Sequence, residues 1–227
     1  MYSLLDRFHG GLWGMTIANM LYSSPKNNNG IMLKIPDVML GHVSCRDLMT
    51  CLNTSTDKPV AAISAEWSFY AALSLSIAGI SRPTPQDYAS WTQTENVLNH
   101  EILDWVRRCI QHRESLVTTR DSLQLLSLNS VEQSIALAIY GSQSTPGNWI
   151  LAFNRILEVS PQPELTAPLL GCLLGTQFAQ LKVPPSLRVQ YQAEGKICLE
   201  KARGLVKLWS GGQDETLVVS PRRLHLS

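Results

Sequence analysis

The 227 residues are 44% hydrophobic and 16% charged, with 19 Lys and Arg against 18 Asp and Glu for a formal net charge of +1. That balance is apolar enough to bury a core, which excludes a disordered chain. It also contains no run of Lys and Arg able to track a phosphate backbone, which argues against nucleic acid as a partner.

In chain order, residues 2–23 carry apolar side chains at helical spacing and stop at Ser23, Ser24 and Pro25, which predicts a first helix. Asp6, Arg7 and His9 interrupt the apolar run that a secretory signal needs. Residues 25–59 mix turn formers with short apolar runs and read as a long irregular excursion without a regular core role, broken only by a short helix near Cys45 to Leu52. Its Ile31, Met32, Leu33, Ile35, Val38 and Met39 look exposed, so this is where a partner surface is expected.

Val60 to Ile80 predicts a second, buried helix that Arg82-Pro83 ends, and Tyr88, Trp91, Leu98, Ile102, Trp105 and Cys109 predict one or two amphipathic helices over 86–112. Further helices are expected over 130–143, 147–158, 164–181 and 185–208. Residues 210–227 read as a flexible or docked tail, or a short terminal strand. The fold class is therefore all-α, one compact multi-helix domain over 1–227.

No uninterrupted apolar span of about 18 residues occurs, so no membrane span is expected. The five cysteines (Cys45, Cys51, Cys109, Cys172, Cys198) lack the two-residue separation of a zinc or redox pair and read as free thiols of a cytoplasmic protein. No Gly-x-Ser-x-Gly elbow and no phosphate-loop pattern is present.

Two helices are built for close approach. Gly10, Gly14 and Ala18 recur every fourth residue on the first, and Ala167, Gly171 and Gly175 do the same over 164–181. Glycine inside a helix costs roughly 1 kcal/mol against alanine, a cost that tight backbone packing can offset.

With these strips in place, the stretch RFHGGLWGMTIANML resembles the opening of the ADP-ribosylglycohydrolases, with Arg7, Phe8, Gly10 and Gly14 in the matching order. Ala136, Leu137, Pro146, Ala152, Ala167, Gly171, Gly175 and Pro184 similarly resemble that family's C-terminal half. The resemblance covers about a third of the chain. It implies an all-helical fold around two magnesium ions that position ADP-ribose and activate water against a glycosidic bond. Such ions require hard, anionic oxygens.

Most of those ligands are replaced here. The family's Gly-Asp stands as Ala18-Asn19, its second motif falls on Ser64, Ala65, Glu66 and Trp67, and its third on Ser160, Pro161, Gln162, Pro163, Glu164 and Leu165. The resemblance thus leaves Asn19, Glu66, Gln162 and Glu164 as candidates for a vestigial cleft, with Glu66 and Glu164 as carboxylates lacking a cation and Trp67 filling volume beside them. No catalytic residue, cofactor-binding residue or metal ligand is assigned. No cofactor is expected, with a weak single Mg²⁺ as the alternative. The implied function is a non-catalytic relative that binds a protein partner or a nucleotide-like ligand. The competing readings are a divergent metal-dependent hydrolase of an ADP-ribosyl bond and a structural helical scaffold.

Overall fold

Four short polar side chains mark where helices start. Asn99, Ser115, Asn129 and Asn148 each turn the backbone into an extended conformation and accept a hydrogen bond from an amide two or three residues on, satisfying donors that a helix N-terminus leaves open. At Asn129 the bond is reciprocal, because Glu132 accepts from the Asn129 amide.

The computed structural model describes residues 2–22, 30–53, 65–92, 98–179 and 183–212. Among them are thirteen helices and no strand: α1 (Leu4–Tyr22), α2 (Gly30–Leu33), α3 (Ile35–Leu40), α4 (Cys45–Asn53), α5 (Ala65–Ile77), α6 (Pro85–Thr92), α7 (His100–His112), α8 (Leu116–Gln124), α9 (Ser130–Ser144), α10 (Trp149–Val159), α11 (Pro163–Phe178), α12 (Pro185–Gln190) and α13 (Gln192–Trp209). The all-α expectation holds for these residues. Ser23 to Pro25, Ser64 and the tail beyond Gly212 lie outside the described residues.

α1 and α11 form the centre, and both are apolar on nearly every side, as buried helices are. They run antiparallel with Gly10 against Gly175 and Gly14 against Gly171, so closely that a Cβ placed on Gly10 would come within 2.7 Å of the Ala179 Cα, and one on Gly171 within 2.9 Å of the Ala18 Cβ. The two small-residue strips therefore meet backbone to backbone. α13 crosses the outside of α1, where Gly195 lies under the Trp13 indole.

α5 closes another side of the bundle. Its C-terminal turn is held by Arg7, a buried cation whose Nη1 donates to the Ser76 carbonyl at 2.7 Å. The last carbonyls of a helix lack internal partners and attract positive charge, which gives this arginine a structural role. Gln177, near the end of α11, donates to the Ser76 hydroxyl at 3.4 Å, so the C-terminal ends of α5 and α11 lie together. α9 also runs alongside α11 in the same direction, with Gln162 bonded to Ser130 and Thr166 to the Ser134 carbonyl.

The described part of the segment expected to be an irregular excursion, residues 30–53, is largely helical and belongs to the core. Ile31, Ile35, Val38 and Met39 recur at helical spacing through α2 and α3 and are buried, as are Cys45 and Leu48 in α4. Of the six side chains read as an exposed partner surface only Leu33 is exposed, with Met32 partly so. The runs looked aperiodic because each helical turn is short and interrupted by Lys34 and Pro36. Packing on α5 and α13, which no local pattern reveals, makes them core.

Two smaller differences concern helix boundaries. α8 has a polar sequence, LVTTRDSLQ, whose only buried side chains are Thr119 and Leu123, so little periodicity betrays it. The expected helix over 185–208 is divided at Tyr191, where ψ of 34° departs from α geometry.

Candidate functional site

The bundle has one polar end. Continued by one turn, the α1–α11 register sets Asn19 level with Thr166, beside the first turn of α11 that carries Gln162 and Glu164. α5 runs alongside α11, with its C-terminus fixed by Arg7 and Gln177, so its first turn, with Glu66, points to the same end. The N-terminus of α9 arrives there as well, because Gln162 at the N-cap of α11 donates from Nε2 to the Ser130 hydroxyl at 2.8 Å. Pro168 sits inside α11 and supplies no amide to the Glu164 carbonyl four residues earlier.

The four residues picked out in the sequence fare differently. Glu66 is not a carboxylate without a cation: Lys34, from the segment just before α3, places its ammonium 3.5 Å away. Tyr70, one turn further along α5, donates its hydroxyl to the same Oε2 at 3.3 Å. Gln162 is engaged with Ser130, and its amide nitrogen donates to the Ser160 hydroxyl. Asn19 keeps its backbone in α1, while its Oδ1 is buried with no hydrogen-bond partner. Glu164 is half-buried. Trp67 is buried and packs on Tyr70 in a T-shaped contact, with ring centroids 5.9 Å apart.

Lys34, Asp37 and Tyr70 complete this end and were not legible beforehand. Burial pushes the Asp37 carboxyl above the usual carboxylate range. Burial also raises the Tyr70 phenol, with the Glu66 charge adding to the shift, so this hydroxyl stays protonated and donating. Tyr70 carried a local signal, since it lies one turn from Glu66 on a helix. Lys34 and Asp37 come from the segment read as an irregular loop, and nothing in their neighbourhood announces a long-range partner.

This donor set does not fit a centre of two divalent cations. Each such ion needs several anionic oxygens in fixed octahedral positions. Here two of the four candidate positions are neutral amides, and Glu66 is already matched by Lys34 and Tyr70. Among the described residues no group of three or more His, Cys, Asp or Glu is placed to hold a metal ion. Among the described residues, the Asn19 Oδ1 is a buried side-chain acceptor at this end with no hydrogen-bond partner.

The remaining titratable groups of the interior are structural. His9 accepts a place between α1 and α13, its Nε2 donating to the Gly195 carbonyl at 3.0 Å and its ring stacked on Trp13. His42 donates from Nδ1 to the Met39 carbonyl and packs between Phe8 and Trp209. Burial depresses both imidazoles below their ordinary pKa, so both are held neutral. Cys172 is fully buried and its thiol is pushed up to about 12, which makes it inert as a nucleophile.

No family model, no curated protein and no solved structure matches the chain. Among the described residues no helix is long and apolar enough to cross a membrane.

Proposed function

We propose that this chain is a non-catalytic, ADP-ribosylglycohydrolase-like protein that acts by binding, to a protein partner in the first place and to a nucleotide-like ligand in the second. The observation that supports it is the Lys34–Glu66 pair. A lysine ammonium has a fixed single charge, three donors and no acceptor, so it can neutralise a carboxylate but cannot activate water or bridge phosphate oxygens as a metal ion does. Glu66 stands at the position where the resemblance implies a metal ligand, and the chain supplies its own cation there. Gln162 is likewise turned toward Ser130. A polar end whose Glu66 is matched by a lysine of the same chain is suited to being structural, while binding energy comes from surfaces elsewhere.

The test is turnover of ADP-ribosyl-arginine and ADP-ribosyl-serine by the full chain with Mg²⁺ or Mn²⁺ added. No release of ADP-ribose is expected. Metal-dependent release that Glu66→Ala abolishes would establish the divergent hydrolase instead. One observation favours that second reading, the buried Asn19 oxygen without a partner, which a single weakly held cation could use. A rise in the thermal midpoint with Mn²⁺ that Asn19→Leu removes would support it.

A further inference from the structure

A cavity of about 400 Å³ lies between α6 and α7. Ligand pockets run from about 300 to 1,000 Å³, so this one is of a size for a small molecule. Its walls are apolar, and α7 explains why. One stripe of that helix, Ile102, Trp105 and Cys109, is fully buried in the core. A second stripe, Leu103, Val106 and Ile110, lines the cavity instead, and Leu103 and Ile110 stay partly exposed. α7 therefore carries more apolar surface than the fold covers.

Against these apolar walls the cavity also carries polar side chains, Arg82, Thr92, His100, Gln111 and Gln143 among them. Arg82 is exposed at the rim, and its Nε donates to the Gln143 carbonyl at 3.0 Å, which is one of the last carbonyls of α9. That bond orients the guanidinium while both terminal nitrogens keep their donors, and among the described residues no carboxylate pairs with it. Gln143 itself is buried and donates from Nε2 to the Tyr88 hydroxyl at 3.4 Å. Asp104 on α7 is matched by Arg107 at 3.0 Å, so that pair cancels, and among the described residues no carboxylate offsets the charge of Arg82.

From these observations we infer that the α6–α7 cavity is a binding site for a small amphipathic carboxylate, its apolar body against Leu103, Val106 and Ile110 and its carboxylate on Arg82. Arginine presents parallel N–H donors that match the two oxygens of a carboxylate, and the anchoring of Nε at Gln143 reduces the ordering cost of that contact. The inference does not depend on the family resemblance or on the polar end, and it concerns residues that neither assigns.

Calorimetric titration of the full chain with octanoate, and with octanamide as a neutral analogue of the same length, tests it. Octanoate is expected to bind at least tenfold more tightly than octanamide. Arg82→Gln should abolish that difference, and Ala89→Trp, which fills the cavity from an exposed position on α6, should abolish binding of both. Thermal midpoints of the two variants within the error of wild type would confirm that they fold. Absence of octanoate binding, equal binding of octanamide, or binding that neither variant alters would each overturn the inference. So would binding of an apolar peptide with a free C-terminal carboxylate in the absence of any octanoate binding, since the groove would then be a peptide site.

Discussion

The α1–α11 seam and the polar end around Glu66 are specified in opposite ways. At the seam, backbone meets backbone, and the only side chains that permit it are hydrogen or a methyl group, repeated once per turn on both partners. At the polar end the contacts are made by long side chains, Lys34 reaching Glu66 and Gln162 reaching Ser130, and they come from segments far apart in the chain. The first kind of specification is rigid and unforgiving. The second is adjustable, because half-exposed charges are screened by water and exchange partners at little cost.

Substitution should expose this asymmetry most sharply at Gly171. Leucine there must place its Cβ against the Gly14 carbonyl and 2.9 Å from the Ala18 Cβ, and neither backbone can retreat without opening the bundle centre. Overpacking of a core costs typically 1–3 kcal/mol and more where backbone is the obstacle, so Gly171→Leu is expected to lose about 3 kcal/mol or to prevent folding. The urea midpoint measures it. An unchanged midpoint would mean that the two strips do not touch.

Arg7 is next. Arg7→Met keeps the aliphatic volume but removes the charged donor from the Ser76 carbonyl, which retains the Gly79 amide, and about 1.5 kcal/mol should be lost. Arg7→Lys should recover part of that loss, since an ammonium can still reach a carbonyl. Equal destabilisation by Met and Lys would instead assign the effect to packing.

The contrast also accounts for what could be read in advance. The glycine strips on α1 and α11 and the buried character of α5 are local or periodic signals, and periodicity survives in a linear sequence. The burial of Ile35, Val38 and Met39 does not, because it depends on α5 and α13 arriving over short helical turns from elsewhere. Lys34 shows the same limit at the candidate site. The chemistry of Glu66 is decided by a residue 32 positions earlier, in a segment whose composition suggests a loop.

Acid should destabilise the interior in a defined window. His9 and His42 have depressed folded pKa values, so the unfolded chain binds protons more readily than the folded one. Their contribution is fully present above the unfolded value of about 6.5 and is lost as pH falls below it, levelling only once the folded values are passed. Asp37 works in the other direction: its raised folded pKa means that ionisation costs stability above about 3.8, and acid relieves the cost. Urea midpoints measured from pH 8 to pH 5 should therefore fall below about 6.5. Asp37→Asn should raise the midpoint at pH 8. A flat wild-type profile that His42→Gln leaves unchanged would place both imidazoles in contact with water.

The smallest effect belongs to the polar end, and its size is what makes it informative. Lys34 and Glu66 are 33% and 40% exposed, so their attraction is screened, and Lys34→Met should cost only about 0.5 kcal/mol in the apo protein. Its second consequence is larger in kind. Without the lysine, Glu66 keeps only the Tyr70 hydroxyl, and a carboxylate that has lost its cation becomes available to another one. Asn19→Asp adds a further anion to an end that already holds Glu66 and Glu164, at a position whose Oδ1 lacks a donor. The double variant Lys34→Met/Asn19→Asp should therefore be less stable than wild type without metal and gain thermal midpoint with Mn²⁺, because a cation that binds only the folded state stabilises it in proportion to its occupancy. Wild type should show no such gain. If the double variant also shows none, Asn19 and Glu66 do not share a pocket, and Lys34 is a surface partner of Glu66 rather than the cation that stands in a metal ion's place.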